Sequence, residues 1–360
     1  MALLLDSGFT EEEIQRLVEI LLSKYGKVTR RSGGMCGSVF FFDQGENAHP
    51  RYIAVKVPRA PSDNPAERHR RFLREIQIQH NTFSHEFVCH PFDYEIVFDT
   101  PVALYRAISG DLSEWIPQAG FSNAGRLSTL SYLCAALIHC RQRGVLNHQD
   151  LKPQNVLMRD YRSDFDGLPV ADVYTVPLLA DFGLANMSLE HDRPDGPKPY
   201  MSPEQWSENK ANGASDVFSF GVIMYEVMTR GIHPIGERVS DWWPTPREGN
   251  SKKWSRDDLW KRWAKAGNAI APNPQVSGDF ERLVRDCMSP RPELRPSFEE
   301  VQGRLLRLLR SLDSSAYDQA AFRINYANSN AGTVDDWPYR NHRLERLLKL
   351  LEIDEVDIVG

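Results

Sequence analysis

Apolar positions along the chain follow three successive patterns. Ile14, Leu17, Val18, Leu21 and Tyr25 recur at helical spacing. Thr10 with Glu13 forms a capping box ahead of them, and Phe9 and Ile14 occupy the staple positions, so an amphipathic helix is predicted near the start. Residues 38–42, 52–57 and 102–108 are short runs rich in β-branched and aromatic side chains, bounded by Gly, Pro or Asp, and read as strands. A helical pattern over 67–79 interrupts them. From about residue 123 the chain reads mostly helical. Leu127, Leu130, Leu133, Leu137 and Cys140 form one stripe, and residues 215–229 are apolar nearly all round, as in a central core helix. A second capping box, Ser297 with Glu300, opens a helix carrying Phe298, Val301, Leu305, Leu308 and Leu312. Residues 313–340 are polar with few apolar anchors. Leu344, Leu347, Leu348 and Leu351 then form a last stripe before an acidic tail. A small β-rich lobe followed by a large helical lobe is implied.

Composition narrows the classes. The 360 residues are 41% hydrophobic and 26% charged, ordinary for a soluble globular protein. The 43 basic and 49 acidic residues leave a net charge of −6, which gives no electrostatic case for a nucleic-acid partner. The five cysteines, Cys36, Cys89, Cys134, Cys140 and Cys287, form no CxxC pair and fit a reducing compartment. The first residues lack the basic and apolar regions of a signal peptide, and no apolar run is long enough to span a membrane. A cytoplasmic protein is the expectation.

Chemistry is concentrated in three places. The Gly-rich run from Ser32 to Val39 holds Gly33, Gly34 and Gly37. It reads equally as a hairpin turn or as a loop whose backbone amides approach phosphates. Lys56 follows on a strand, and Glu75 lies 19 residues later on a helix. A lysine held by a glutamate in this way can aim its ammonium at α/β-phosphates. His148-Gln149-Asp150-Leu151-Lys152-Pro153-Gln154-Asn155 comes next, followed by Asp181-Phe182-Gly183.

These motifs resemble the catalytic loop and the DFG metal-binding motif of the eukaryotic-type protein kinase family. Ser202-Pro203-Glu204, Asp216, Gly221 and Arg295 extend the resemblance over residues 28–312. It implies an α+β, two-lobed fold with an N-lobe over 28–104 and a C-lobe over 105–312. Residues 1–27 are then a helical extension, and 313–360 a C-terminal extension with a short amphipathic helix. It also implies ATP and Mg²⁺ as cofactors and protein Ser/Thr hydroxyls as acceptors, because Lys152-Pro153 matches the DLKPxN form of Ser/Thr kinases. By the same resemblance Ser32, Gly34 and Gly37 lie in the loop over the ATP phosphates, and Lys56 paired to Glu75 holds them. Asp150 accepts the substrate proton, Lys152 stabilises the transferring phosphoryl, and Asn155 and Asp181 hold the metal. Leu104 is the expected gatekeeper and Tyr105, Arg106 and Ala107 the hinge. Asp111 faces the ribose, while Val39, Ala54 and Leu157 sandwich the base. Glu204 with Arg295, and Asp216, are support. The rival reading is a nucleotide-binding pseudokinase scaffold acting through protein contacts, and a small-molecule phosphotransferase of related fold is a further one. The full set Lys56, Glu75, Asp150, Asn155 and Asp181 favours the enzyme.

Several positions depart from the family pattern. Ser32 replaces a glycine, and Pro197 stands where a threonine hydroxyl would bond Asp150 and Lys152. Gln149 replaces the arginine that grips an activation-segment phosphate in other members. Gln79 replaces an apolar residue, which predicts a looser helix around Glu75. The longer stretch between Asn155 and Asp181 predicts an extra hairpin around 164–167. Arg68, Arg70, Arg71 and Arg74 read as a solvated face or as a dock for an acidic partner, and Cys36 as an inert or a redox-sensitive thiol. Five of the eight tryptophans, among them Trp242, Trp243 and Trp254, crowd into 236–275. That region and the helix at 341–353 are candidate docking surfaces, with packing on the helical lobe as the alternative for each.

Overall fold

Short segments of alternating pattern pair into one antiparallel sheet, ordered β1-β2-β3-β5-β4. The strands are β1 (Lys27–Gly33), β2 (Gly37–Asp43), β3 (Tyr52–Pro58), β4 (Asp93–Val97) and β5 (Thr100–Arg106). In this computed structural model the described residues are 16–17, 19–33, 37–58, 65–97, 100–163, 167–168, 171–186, 198–208, 211–239, 257–332 and 337–350. The chain divides into two units. The smaller holds Met1–Ser84, Cys89–Ile108 and Ala331–Gly360; the larger holds His85–Val88 and Ser109–Asn330.

In the smaller unit, cross-strand partners share a face because side chains alternate along each strand. One face carries Phe40, Phe42, Ile53, Val55, Val57, Val102 and Leu104, which form a buried core with Val97 and with Leu22 and Tyr25 from ahead of β1. Of the predicted N-terminal stripe, Tyr25 joins this core, and Leu22 rather than Leu21 is the buried leucine beside it; Ile14 and Val18 lie outside the described residues. The opposite face carries Val39, Lys56 and Ala103 in one row and Ala54 and Tyr105 in the next. Helix α1 (Pro65–Asn81) buries Phe72, Leu73 and Ile76 and packs on β3 and β5.

The last stripe departs from expectation. It forms a helix, Trp337–Leu350, that packs on β4 rather than on the helical lobe. Leu344, Leu347 and Leu348 are buried, and the fork of Arg343 grips the Asp93 carboxylate at 2.9 and 3.2 Å. Arg340 adds a 3.2 Å bond to the carbonyl of Pro91. A paired arginine and three leucines thus fasten the segment to the edge strand. Leu351 lies outside the described residues.

The larger unit is helical around a two-stranded ladder, β6 (Val156–Asp160) with β7 (Thr175–Leu179). Its helices are α2 (Leu112–Trp115), α3 (Asn123–Gln142), α4 (Pro203–Glu208), α5 (Gly213–Met228), α6 (Asp257–Lys265), α7 (Gly278–Cys287), α8 (Phe298–Leu312) and α9 (Ser314–Ser329). Helix α5 is buried almost throughout. At Gly221 a Cβ would meet the Met288 side chain at 2.8 Å, so α7 can approach α5 closely only over a glycine. The α8 capping box forms with both reciprocal bonds, at 3.2 and 2.8 Å. Its buried stripe is Phe298, Val301, Leu305 and Leu309, while Leu312 is exposed. The 3.6-residue period brings Leu309, not Leu308, under the helix.

Helix α9 arises from the region read as polar. Asp313 caps it, accepting the N–H of Ala316 at 2.9 Å. Ala316, Ala320, Ile324 and Ala327 make a narrow buried stripe that packs on α8 and α3. Between β6 and β7 the described residues form two 3₁₀ turns, Tyr161–Ser163 and Ala171–Tyr174; the expected hairpin falls largely on 164–166, outside the described residues.

Candidate active site

In the smaller unit the Gly-rich run sits where β1 turns into β2, with Ser32 opposite Val39 and Gly33 opposite Ser38. Gly37 opens β2. Gly34 and Cys36 lie outside the described residues. Lys56 shares its sheet face with Val39 and Ala54, and its ammonium is paired with the Glu75 carboxylate on α1. Glu75 is only 3% exposed, so this ion pair is largely withdrawn from water.

Leu104 falls elsewhere than expected. It lies opposite Val55 and joins the core on the far face, whereas Tyr105, opposite Ala54, shares the face of Lys56. Tyr105 therefore occupies the position expected of Leu104. The N–H of Ala107 donates to the carbonyl of Tyr52 at 3.1 Å, so this group extends the sheet. Gln79 is buried and bonded at both ends: its amide donates to the carbonyl of Cys89, and its Oε1 accepts the Tyr105 hydroxyl. The expectation that a polar side chain loosens α1 is overturned by these two bonds.

In the larger unit the catalytic loop is folded around Asp216. The Asp216 carboxylate accepts the N–H groups of His148 and Gln149 at 2.6 and 3.0 Å, and Gln149 turns the chain with φ of 63°. Left-handed backbone at a non-glycine residue is costly, and the two bonds to Asp216 hold it in place. Asp150 follows. Its carboxylate receives Lys152 Nζ at 2.9 and 2.8 Å and Asn155 Nδ2 at 2.7 Å. The same Nδ2 donates to the Asp150 carbonyl at 2.8 Å. Both amide hydrogens of Asn155 are then spent inside the loop, which leaves Oδ1 as the side chain's acceptor atom. Asp181 lies just after β7, also left-handed at φ of 63°, and Ala180 beside it donates to the Asn155 carbonyl at 2.9 Å. Amide and carboxylate oxygens are the hard donors that suit Mg²⁺, so Asn155 and Asp181 fit such a metal.

Burial raises the Asp150 carboxyl above the ordinary range; the Lys152 ammonium opposes the rise and the Asp181 charge adds to it. Asp216 is pushed up to about 6 because burial outweighs its two backbone donors. His148 is held down to about 4 by burial, so it is neutral where it packs edge-on against Phe182. Asp111 caps α2, accepting from Ser113 and Glu114 N–H, and bridges to Leu157 on β6.

The supporting groups are in place as well. Arg295 pairs with Glu204 through its two terminal guanidinium nitrogens at 2.6 and 2.8 Å. Pro197 lies outside the described residues. Beyond it, the Pro199 carbonyl accepts from His233 at 2.8 Å and the Tyr200 hydroxyl donates to Glu226 at 2.7 Å. Trp260 and Trp263 are buried against Trp206, Phe218 and His233, so they serve packing; Trp242, Trp243 and Trp254 lie outside the described residues. Arg70 and Arg71 are exposed, and the Arg68 side chain is outside the described residues. Sequence reasoning placed Tyr105 in the hinge rather than on the face of Lys56, and it missed Asn147 and Asn186, isolated residues that carry no periodic signal.

Residues 33–304 match the protein kinase domain. The chain belongs to the protein kinase family. It is 30% identical over 216 residues to serine/threonine-protein kinase Pkn1 of Myxococcus xanthus, covering 59% of this chain and 30% of that protein. It is 26% identical over 215 residues to a putative mitogen-activated protein kinase kinase kinase 7-like protein of Drosophila melanogaster, covering 57% and 49%. It is 25% identical over 317 residues to proto-oncogene tyrosine-protein kinase ROS of Rattus norvegicus, covering 82% and 12%. The chain thus spans less than half the length of each of these relatives. Among the described residues, no helix is long and apolar enough to cross a membrane.

Proposed function

We propose that the chain transfers the γ-phosphoryl of ATP to serine and threonine hydroxyls of protein substrates. The observation that carries this reading is the Asp150 carboxylate, enclosed and fixed by Lys152 and Asn155. Its raised proton affinity suits a group that takes the proton from an attacking hydroxyl. Lys152 balances that carboxylate now and is within reach of charge developing beside it. Lys56, aimed by Glu75, is assigned to the α/β-phosphates, and Asn155 and Asp181 to the metal. Bound Mg²⁺-ATP would supply the phosphoryl group and neutralise its charge; the protein contributes position and electrostatics. Val39, Ala54 and Leu157 are assigned to the base, Asp111 to the ribose, and Ser32, Gly34 and Gly37 to the phosphate loop. The Lys152-Pro153 form of the catalytic loop and the likeness to Pkn1 support Ser/Thr acceptors. The buried free cysteines, Cys89, Cys134, Cys140 and Cys287, support a cytoplasmic setting.

The test is incorporation of labelled phosphate from ATP into casein and myelin basic protein, followed by phosphoamino-acid analysis. Wild type should yield phosphoserine and phosphothreonine, and Asp150→Asn should lose about 10²–10⁴-fold in rate. Phosphotyrosine as the main product would overturn the acceptor assignment. ATP binding with no transfer by wild type would favour the scaffold reading.

A further inference from the structure

The segment after Asp181 is joined to the catalytic loop by neutral amides. Asn186 adopts a left-handed backbone with φ of 59°. Its N–H donates to the Asn147 carbonyl at 3.0 Å, and its Oδ1 accepts the Asn147 N–H at 3.2 Å. Its Nδ2 donates to the Gly144 carbonyl at 2.8 Å. On the other side, Gln149 Nε2 donates to Asn147 Oδ1 at 2.6 Å. Asn147 is the shared middle of a clasp that runs from Gln149, next to Asp150, to Asn186, five residues beyond Asp181.

The choice of residue follows from this geometry. Position 186 needs a short side chain that tolerates left-handed backbone and accepts one hydrogen bond while donating another. Asparagine does all three. An aspartate would set a carboxylate oxygen against the Gly144 carbonyl, and a glycine would keep the backbone but lose both side-chain bonds. Gln149 is likewise engaged within the fold: it is 4% exposed and its amide is directed at Asn147. Two hydroxyls further along the segment are enclosed too. Tyr200 gives its proton to Glu226, and Ser202 gives its own to Gln205 at 3.0 Å. Neither can meet a modifying enzyme without local unfolding.

We propose that Asn186 is a positioning residue, and that the Gln149–Asn147–Asn186 clasp holds the Asp181 segment on the catalytic loop without a phosphate. The phosphoryl-transfer part of this inference rests on the function proposed above.

The experiment compares wild type, Asn186→Gly, Asn186→Asp and Gln149→Leu, full length, each with and without exhaustive phosphatase treatment. Backbone amide exchange is followed over residues 144–150 and 181–186, with kcat and KM for ATP measured on casein. Wild type should be unchanged by phosphatase in both readouts. Asn186→Gly and Asn186→Asp should lose amide protection in both stretches, and kcat should fall about tenfold or more with KM for ATP within about threefold. Gln149→Leu should show the same change in weaker form. Unchanged protection in Asn186→Gly would overturn the clasp, whatever the activity. Loss of wild-type activity on phosphatase treatment, restored by rephosphorylation, would show that a phosphate, and not the clasp, holds the segment. If wild type transfers no phosphate while Asn186→Gly still exposes the loop, the kinase reading fails and the clasp stands.

Discussion

The phenol of Tyr105 donates a 2.9 Å hydrogen bond to Oε1 of Gln79, and Gln79 passes an amide proton on to the carbonyl of Cys89. Both side chains are buried. Helix α1, which carries Glu75, is therefore fixed to strand β5 and to the chain ahead of β4 by a polar bridge. Inside a protein such a bridge is most costly when half of it is removed, because the remaining donor or acceptor stays dry and unmatched.

Tyr105→Phe should cost about 1–3 kcal/mol of stability by orphaning Gln79 Oε1. Gln79→Leu should cost a similar amount, since it strands both the phenol and the Cys89 carbonyl. The double variant should cost less than the sum of the two, a coupling of about 0.5–3 kcal/mol measurable by urea unfolding. Additive losses would mean that the two side chains do not share a bond in solution.

The pair Lys56 and Glu75 makes a second prediction, in which activity and stability separate. Lys56→Met should abolish phosphoryl transfer, and it also removes the ammonium that neutralises a nearly enclosed carboxylate. Breaking a buried pair in this way costs about 3–5 kcal/mol. Adding Glu75→Gln removes the stranded charge, so Lys56→Met/Glu75→Gln should regain most of the lost melting temperature and none of the activity. Recovered transfer in the double variant would remove Lys56 from the phosphate site.

Much of this was legible in the sequence because the chemistry is written in contiguous motifs. Asp150, Lys152 and Asn155 lie within six residues, and one loop brings their side chains together. What was not legible depends on phase or on small residues. Strand β5 is apolar on both faces, so alternation could not say whether Leu104 or Tyr105 looks toward Lys56; only pairing with β3 fixes that. The stripe of α9 is mostly alanine, which carries little hydrophobic signal though it packs closely. The C-terminal leucines announced a buried face but not its partner. That partner is set by Arg343 meeting Asp93, residues 250 apart in sequence.

The docking of the C-terminal helix gives a third prediction. Leu347 is buried against the smaller unit, so Leu347→Ala should destabilise by about 2–5 kcal/mol. Arg343→Ala should cost only about 1 kcal/mol, because its ion pair with Asp93 is partly exposed. Deleting residues 337–360 should lower the melting temperature at least as far as Leu347→Ala does. An unchanged melting temperature on deletion would show that the helix does not brace β4.

The fourth prediction concerns acid. His85 stacks on His139 with ring centroids 4.4 Å apart. Its Nδ1 accepts the Phe87 N–H at 3.2 Å, which leaves the proton on Nε2, 3.2 Å from Asn328 Oδ1. Both ring nitrogens are thus committed to the neutral form. Burial, and then the neighbouring His139, hold its pKa down to about 4, against about 6.5 in the unfolded chain. Below pH 6.5 the unfolded state binds a proton that the folded state refuses, so stability is fully present above that pH and is lost as pH falls toward 4. The shift corresponds to roughly 3 kcal/mol at most. His148 and His233, held down to about 4 and about 3, act in the same direction. Asp216 and Glu226, raised to about 6 and about 7, act in the opposite one and gain as pH falls. The raw profile therefore mixes the two signs, and the difference between wild type and His85→Gln isolates one group. Urea unfolding at pH 7 and at pH 4.5 should show a smaller loss for His85→Gln than for wild type. Equal losses would mean that His85 is protonated in the folded protein and that its stacking on His139 is not maintained.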